Sequence, residues 1–140
     1  MSDTPTMTPT QKGDRRMLIG LILASVTFAA IAQVTLKMGM NNVTEAAGGQ
    51  LAISGDSFKQ ILTSGLVWLG LGIFGISAVL WLFALSRTSL SFAYPFAALG
   101  YVIIVLASIL LLHEHVPPLR WAGVAFIVTG IVLVAQTPHT

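Results

Sequence analysis

A glutamine and a lysine lie four residues apart near the end of the first long apolar stretch, where polar side chains are otherwise rare. Gln33 and Lys37 continue a spacing that begins at Ala29, so a helix places all three on one face. The lysine ammonium can neutralise an anion, and the glutamine amide can bond to an oxygen atom beside it. Glu114 follows a later apolar stretch that ends on the same side, so it could pair with Lys37. Alternatively, the two charged side chains only extend outward into polar surroundings.

Two tyrosines and a proline lie in the third apolar stretch. Tyr94 and Tyr101 are seven residues apart and therefore share one helix face. Pro95 has no backbone N–H, which predicts a kink in that helix. A kinked helix with aromatic hydroxyls suits the wall of a substrate groove, whereas interfacial anchoring is the alternative role for the tyrosines. The candidate substrate-binding residues are therefore Gln33, Lys37, Tyr94, Tyr101 and Glu114.

The sequence contains no set of residues for covalent catalysis or metal binding. It has no cysteine, which excludes disulfides, cysteine-bound metals and thiol chemistry. His113 and His115 flank Glu114, but a histidine pair two residues apart at a helix end is more typical of a polar boundary than of a metal site. Paired carboxylates, Ser-His-Asp groupings and nucleotide-binding glycine loops are absent. We therefore expect no enzyme activity, no cofactor and no metal.

The composition indicates an integral membrane protein. Of 140 residues, 55% are hydrophobic and only 9% are charged, and the mean hydropathy is +0.86. A soluble domain carries about a quarter charged residues because its surface faces water. From Ile61 to Gln136 the only full charges are Arg87, Glu114 and Arg120. No basic patch accompanies the pI of about 9.4, so no nucleic-acid partner is expected.

Four apolar segments are each close to the length of about 20 residues that spans a bilayer as a helix. Their continuous apolar character favours helices over the alternating strands of a membrane barrel. The predicted fold is an all-α bundle over residues 17–137, preceded by a disordered polar cytoplasmic tail over residues 1–16. The longest predicted loop covers residues 41–59. The predicted helices cover about residues 17–37, 61–86, 90–112 and 119–136.

The first segment also resembles a signal peptide, with Lys12, Arg15 and Arg16 before an apolar run and small residues at Ala30 and Ala32. The run continues through Val34 and Leu36, which favours a full span. An even number of spans places both termini on one side of the membrane. On the side of the termini, the short flanking segments hold four basic residues: Lys12, Arg15, Arg16 and Arg87. On the other side they hold three: Lys37, Lys59 and Arg120. This excess favours cytoplasmic termini without excluding dual topology.

Small residues recur at helical spacing in the predicted spans, for example at Gly20 and Ala24 and at Gly123 and Gly130. Such faces let membrane helices approach closely, either within one bundle or between subunits. Four short helices enclose little volume of their own. We therefore expect a homodimer or a heterodimer with a related small subunit.

Several short motifs are present: residues 32–33 followed by Lys37, residues 79–82 (VLWL), 93–95 (AYP), 113–114 (HE) and 121–127 (WAGVAFI). On these motifs the chain resembles the small four-helix members of the drug/metabolite transporter superfamily (EamA-like), and among them the undecaprenyl-phosphate-aminoarabinose flippase subunits of the ArnE/ArnF type. The resemblance covers about residues 18–135. Small multidrug-resistance transporters are similar in size but carry a glutamate in the first helix, where this chain has Ala29.

This resemblance implies translocation of a polyprenyl-phosphate-linked monosaccharide, in some members an aminosugar, across the bacterial inner membrane. The implied partners are that lipid, the surrounding membrane lipids and a second small subunit. Two alternatives stay open at this point. One is a small-molecule transporter of the same superfamily, and the other is a membrane subunit that only supports a larger assembly.

Overall fold

The computed structural model describes residues 8–50 and 53–138, and over these residues the chain is helical with no strand. Four of its five helices are long and apolar enough to cross a membrane, each with an 18-residue window of mean hydropathy 1.8 or more. The all-α fold with four candidate spans is thus confirmed. The helices are α1 (Pro9–Ala46), α2 (Gly55–Thr63), α3 (Gly65–Leu85), α4 (Leu90–Leu110) and α5 (Pro118–Ala135), of which all but α2 are candidate spans.

Helix α1 is longer at both ends than the sequence predicts. Thr8 caps it through a reciprocal pair of hydrogen bonds with Gln11, and Pro9 occupies the first turn, where its missing N–H costs nothing. Residues 9–16 are therefore helical rather than part of a disordered tail, while residues 1–7 lie outside the described residues. At 38 residues the helix is about 57 Å long, which exceeds the roughly 30 Å hydrocarbon layer.

The predicted loop over residues 41–59 is wrong at both of its ends. Helix α1 continues to Ala46 because Val43 is buried against the bundle, and packing of this kind overrides the weak helix propensity of the asparagines before it. Gly48 and Gly49 then end the helix with positive φ angles, and the Gly49 N–H donates to the Thr44 carbonyl.

Helix α2 was not predicted from the sequence. Ser54 caps it by accepting a hydrogen bond from the Ser57 N–H, and only Ser64, in an extended conformation, separates it from α3. The start of the second predicted span, residues 61–63, therefore belongs to α2.

Helix α1 is the central element of the bundle, because it packs along α3 and also against α4. The main core cluster lies near the amino end of α1. A smaller cluster joins α4 to α5 through Val105, Val116 and Val124. The main cluster consists of Leu18, Ile22, Val26, Ala84, Phe92, Ala93 and Phe96.

Helix α5 lies at the edge of the bundle, and Val124 is its only buried residue. It packs on α4, and its last turn is tied to α1 by a hydrogen bond from the Arg15 guanidinium to the Ala135 carbonyl. That carbonyl is one of the groups left unpaired at a helix C-terminus, where a cation is also favoured by the helix dipole.

Two glycines allow α1 and α3 to approach closely. A Cβ atom on Gly39 would lie 3.1 Å from Leu66 Cβ, and one on Gly70 would lie 2.7 Å from Leu36 Cγ. Small residues at such points let membrane helices make extensive van der Waals contact. By contrast, a Cβ atom on Gly72, two residues further along α3, would meet nothing within 4 Å.

Replacement of Gly70 by valine is expected to separate α1 from α3 and to destabilise the protein by about 1–3 kcal/mol, the usual cost of overpacking. Gly72→Val is the matched control, because it adds the same side chain to the same helix on an open surface. Thermal unfolding in a mild detergent measures both variants. Equal unfolding temperatures for the two variants would contradict the close packing at Gly70.

Candidate functional site

A cavity of about 440 Å³ lies between α1, α3 and α4, near the middle of the three spans. Most of its wall is apolar, and none of the described residues that line it is charged. Such an uncharged polar surface can hydrogen-bond a ligand without placing an ionised side chain in a low-dielectric medium. Its polar side chains are Ser25, Gln33, Ser77, Trp81 and Tyr101.

Small side chains create the space for this cavity. Alanines 29, 30, 78 and 97 contribute to its wall, so little side-chain volume projects inward from any of the three helices. At the same level α4 approaches α1 closely, because a Cβ atom on Gly100 would lie 3.2 Å from Val26 Cγ1.

Two buried serines join α1 and α3 at the back of the cavity. The Ser77 hydroxyl donates to the Ser25 carbonyl over 2.7 Å, and the Ser25 hydroxyl donates to the Ile22 carbonyl over 2.9 Å. Both hydroxyl protons are therefore used within the protein, and the hydroxyl oxygens keep acceptor capacity. These two serines face the cavity as hydrogen-bond acceptors.

Gln33 and Tyr101, two of the predicted site residues, lie together in the cavity wall. Both are exposed, and 40% of the Tyr101 surface is accessible, so they stand where the cavity opens outward. Their amide and phenol groups can donate hydrogen bonds as well as accept them, unlike the serines behind them.

Tyr94 does not line the cavity, although its spacing from Tyr101 is that of one helix face. It is 58% exposed and meets Trp81 edge-on, with ring centroids 5.9 Å apart and an interplanar angle of 73°. Trp81 itself lines the cavity, so Tyr94 supports the wall from outside.

Trp81 and Ser77 were not predicted as site residues from the sequence. They share a face of α3 with Phe74 and Ala78 at the spacing i, i+3, i+4 and i+7. This spacing, counted from the polar residue Ser77, was the available sequence signal. The apolar composition of α3 on every side obscured this face.

Lys37 and Glu114 form an ion pair at the carboxyl end of the α1 span, with Lys37 Nζ 3.9 Å from Glu114 Oε1. The predicted pairing is therefore observed. The two side chains are 52% and 43% exposed, so the pair is open to its surroundings and contributes at most about 1 kcal/mol. A pair this weak can open to admit a ligand.

The chain reaches Glu114 through a tight turn after α4. His113 has a positive φ of 54°, and the Glu114 N–H donates to the Ser108 carbonyl over 3.0 Å. The left-handed conformation of His113 therefore reverses the chain and turns Glu114 back toward α1. Among the described residues no three His, Asp or Glu side chains cluster as possible metal ligands, and His139 lies outside those residues.

The ion pair and the cavity are neighbours along α1. Gln33 and Lys37 are one helical turn apart, or about 6 Å along the axis. A second, apolar groove of about 200 Å³ runs between α1 and α4 and shares Ala30 with the cavity. The helical positions place Lys37 between these two openings. The rest of the groove wall is Ile31, Val34, Thr35, Met38, Ile103, Ala107 and Leu111.

Comparison with curated proteins identifies relatives of this chain. Three of them, from Escherichia coli O139:H28, Escherichia coli K12 (strain DH10B) and Shigella boydii serotype 18, are each 43% identical over 74 residues. The match covers 51% of this chain and 67% of each relative, and all three are named "probable 4-amino-4-deoxy-L-arabinose-phosphoundecaprenol flippase subunit ArnE". This chain belongs to the ArnE family.

The family assignment confirms the ArnE-type resemblance found in the sequence, and the four apolar helices fit a membrane transporter. No protein-family model matches the chain, so its place in the wider EamA superfamily stays a prediction. No solved structure matches it significantly.

Proposed function

We propose that this chain is one subunit of a flippase that moves a polyprenyl-phosphate-linked monosaccharide, such as an aminosugar lipid, across the bacterial inner membrane. The observation that carries this proposal is the arrangement along α1, where an uncharged cavity with a few polar side chains lies one helical turn from the Lys37–Glu114 ion pair. The named activity of the ArnE relatives supports it.

In this proposal Lys37 receives the phosphate of the lipid. An isolated ionised group costs on the order of tens of kcal/mol to move into a medium of low dielectric constant, so a phosphate needs a cation at the membrane boundary. Lys37 provides a compact charge on a flexible stem. Its half-exposed pair with Glu114 gives the phosphate room to displace the carboxylate.

The sugar would occupy the cavity. A hexose or pentose ring carries hydroxyls that both donate and accept, and the cavity supplies both functions through Gln33, Tyr101 and the two serines. The indole of Trp81 offers an apolar face for the ring carbons. Gln33 and Lys37 are about 6 Å apart along α1, so one ligand can contact both side chains.

The isoprenoid chain would lie in the apolar groove between α1 and α4. This groove begins beside Lys37, since Met38 and Leu111 form its end nearest the ion pair. The three parts of the lipid would then meet three surfaces of matching polarity around one segment of α1. Glu114 would either hold Lys37 in place or bind the amino group of an aminosugar.

Lys37→Ala is expected to lower the rate of lipid-sugar transport by about tenfold to 100-fold, because a hydrogen bond to a charged group is worth about 1.5–3 kcal/mol. Lys37→Arg should retain part of the activity, and Gln33→Leu should reduce the rate less than Lys37→Ala.

Glu114→Gln should cause a modest loss if Glu114 only pairs with Lys37, and a selective loss of aminosugar lipid if it binds the amine. A leaflet-resolved transport assay in liposomes measures these rates.

Lys59→Ala is the matched control for Lys37→Ala, because Lys59 is an exposed lysine of α2 at the same end of the bundle. It should leave transport unchanged. Normal transport by Lys37→Ala would contradict the proposed role of Lys37. Transport of a soluble substrate driven by an ion gradient would favour a small-molecule transporter. If the chain transports nothing but a larger assembly requires it, the result would favour a supporting subunit.

We further propose that both termini face the cytoplasm and that the Lys37–Glu114 end faces the periplasm. The support is the excess of basic residues beside the termini and at the turn between α3 and α4. Because the chain has no cysteine, single cysteines at Ser2 and Ser54 can be labelled selectively. Ser2→Cys should react only from the cytoplasmic side and Ser54→Cys only from the periplasmic side. Labelling of both positions from both sides would indicate dual topology.

The functional unit is proposed to be a dimer, either of this chain or with a related small subunit. The support is that the cavity is open on one side, where a second chain would enclose it. Native mass measurement in nanodiscs should therefore return two chains in the active preparation. Full transport activity from a preparation that contains only monomers would contradict the dimer.

A further inference from the structure

Helix α2 is a short amphipathic helix with a largely exposed apolar face. Phe58, Ile61 and Leu62 share one face at the spacing i, i+3 and i+4, while Asp56 and Gln60 lie on the opposite face. No residue of α2 is buried, and Phe58 and Leu62 are 63% and 46% exposed. The described part of the bundle therefore leaves Phe58 and Leu62 largely uncovered, while Ile61 is partly buried.

The structure attaches α2 firmly to the end of a membrane span. One residue, Ser64, separates it from α3, and the Trp68 indole N–H donates to the Leu62 carbonyl over 2.6 Å. That carbonyl belongs to the last turn of α2, where backbone acceptors have no partner within the helix. Trp68 thus ties the two helices together one turn inside the start of α3.

The position of Trp68 also locates α2 relative to the bilayer. Tryptophan is favoured at the boundary between hydrocarbon and headgroups, and the Trp68 side chain is 58% exposed. The first turn of α3 contacts Gly39 of α1, two residues after Lys37. Helix α2 therefore lies at the same end of the bundle as the Lys37–Glu114 pair, at the level of the membrane interface.

We propose that α2 is an interfacial helix that lies in the headgroup layer, with Phe58, Ile61 and Leu62 in contact with lipid. An amphipathic helix at a membrane surface buries its apolar face about 5–10 Å into the boundary between headgroups and acyl chains. Trp68 and Leu69 are also exposed, at the start of α3. Because α3 is a candidate membrane span, the exposed apolar side chains of α2 lie beside the lipid-facing surface of that span.

Lipid fits this face better than a protein partner does. Three side chains on a nine-residue helix fall well short of the roughly 800 Å² per partner that a stable protein interface buries. The polar face with Asp56 and Gln60 would stay in water, while the apolar face would contact lipid. This inference depends on the membrane-spanning character of the chain and not on the proposed cargo.

Spin-label accessibility in liposomes tests the proposal directly. The full chain has no cysteine, so Phe58→Cys and Gln60→Cys each carry one nitroxide label. In vesicles of phosphatidylethanolamine and phosphatidylglycerol, the label at position 58 should collide more with oxygen, which dissolves in lipid. The label at position 60 should collide several-fold more with a water-soluble nickel chelate. Leu62→Cys and Asp56→Cys form a second pair with the same expectation, in case Phe58→Cys does not fold.

Two results would overturn the proposal. Equal access of the nickel chelate to both faces would place α2 in water. Spin–spin broadening at position 58 that disappears on dilution with unlabelled protein would show that a second copy covers the face instead of lipid. Exclusion of nickel from positions 58 and 62 without such broadening, together with free access at positions 56 and 60, would support it.

Discussion

The close approach of α1 to α3 is the constraint on which the rest of the structure depends. Gly39 and Gly70 carry no side chain, so Leu36 of α1 and Leu66 and Val67 of α3 pack directly against the backbone of the facing helix. Because α1 also packs on α4, its position determines the width of the cavity between the three helices. Lys37 lies two residues before Gly39, so the same contact determines the height of its ammonium group.

The distribution of polarity along α1 follows from the low dielectric constant of the membrane interior. Its charged residues lie toward the two ends, where Arg15 bonds to the Ala135 carbonyl and Lys37 pairs with Glu114. Between them the cavity uses only neutral polar groups, which cost far less to hold in hydrocarbon than ions do. The helix therefore carries charged groups toward its ends and borders neutral hydrogen-bonding groups near the middle of the span.

The exposed apolar surface of the bundle has the same physical origin. Large side chains such as Phe126, at 80% exposed, would be unfavourable in water, but they face hydrocarbon in a span. Because lipid tails are as apolar as leucine, burial of such residues does not drive the helices together, and close contact between small residues takes its place. Small residues therefore occur at the closest helix contacts, such as Gly39, Gly70 and Gly100. Large apolar side chains fill the core at Leu18, Phe92 and Phe96, and many others face outward.

The sequence alone determined the fold class, because continuous apolar segments of about 20 residues have only one stable form in lipid. It also determined that Lys37 and Glu114 lie at the same end of the bundle. Successive spans cross in alternating directions, so the first and third spans cross in the same direction and their carboxyl ends lie on the same side. The helix ends differed from prediction where packing opposed local propensity, as at Val43 in the predicted loop.

Only the tertiary structure decided which polar residues meet. Gln33 and Tyr101 line one cavity, whereas Tyr94, on the same face of α4 by spacing, supports it through Trp81 from outside. Spacing along one helix defines a face but not the neighbour that the face meets. That neighbour depends on how closely each pair of helices packs, and here the close contacts at Gly70 and Gly100 bring Ser77 and Trp81 of α3 and Tyr101 of α4 around α1.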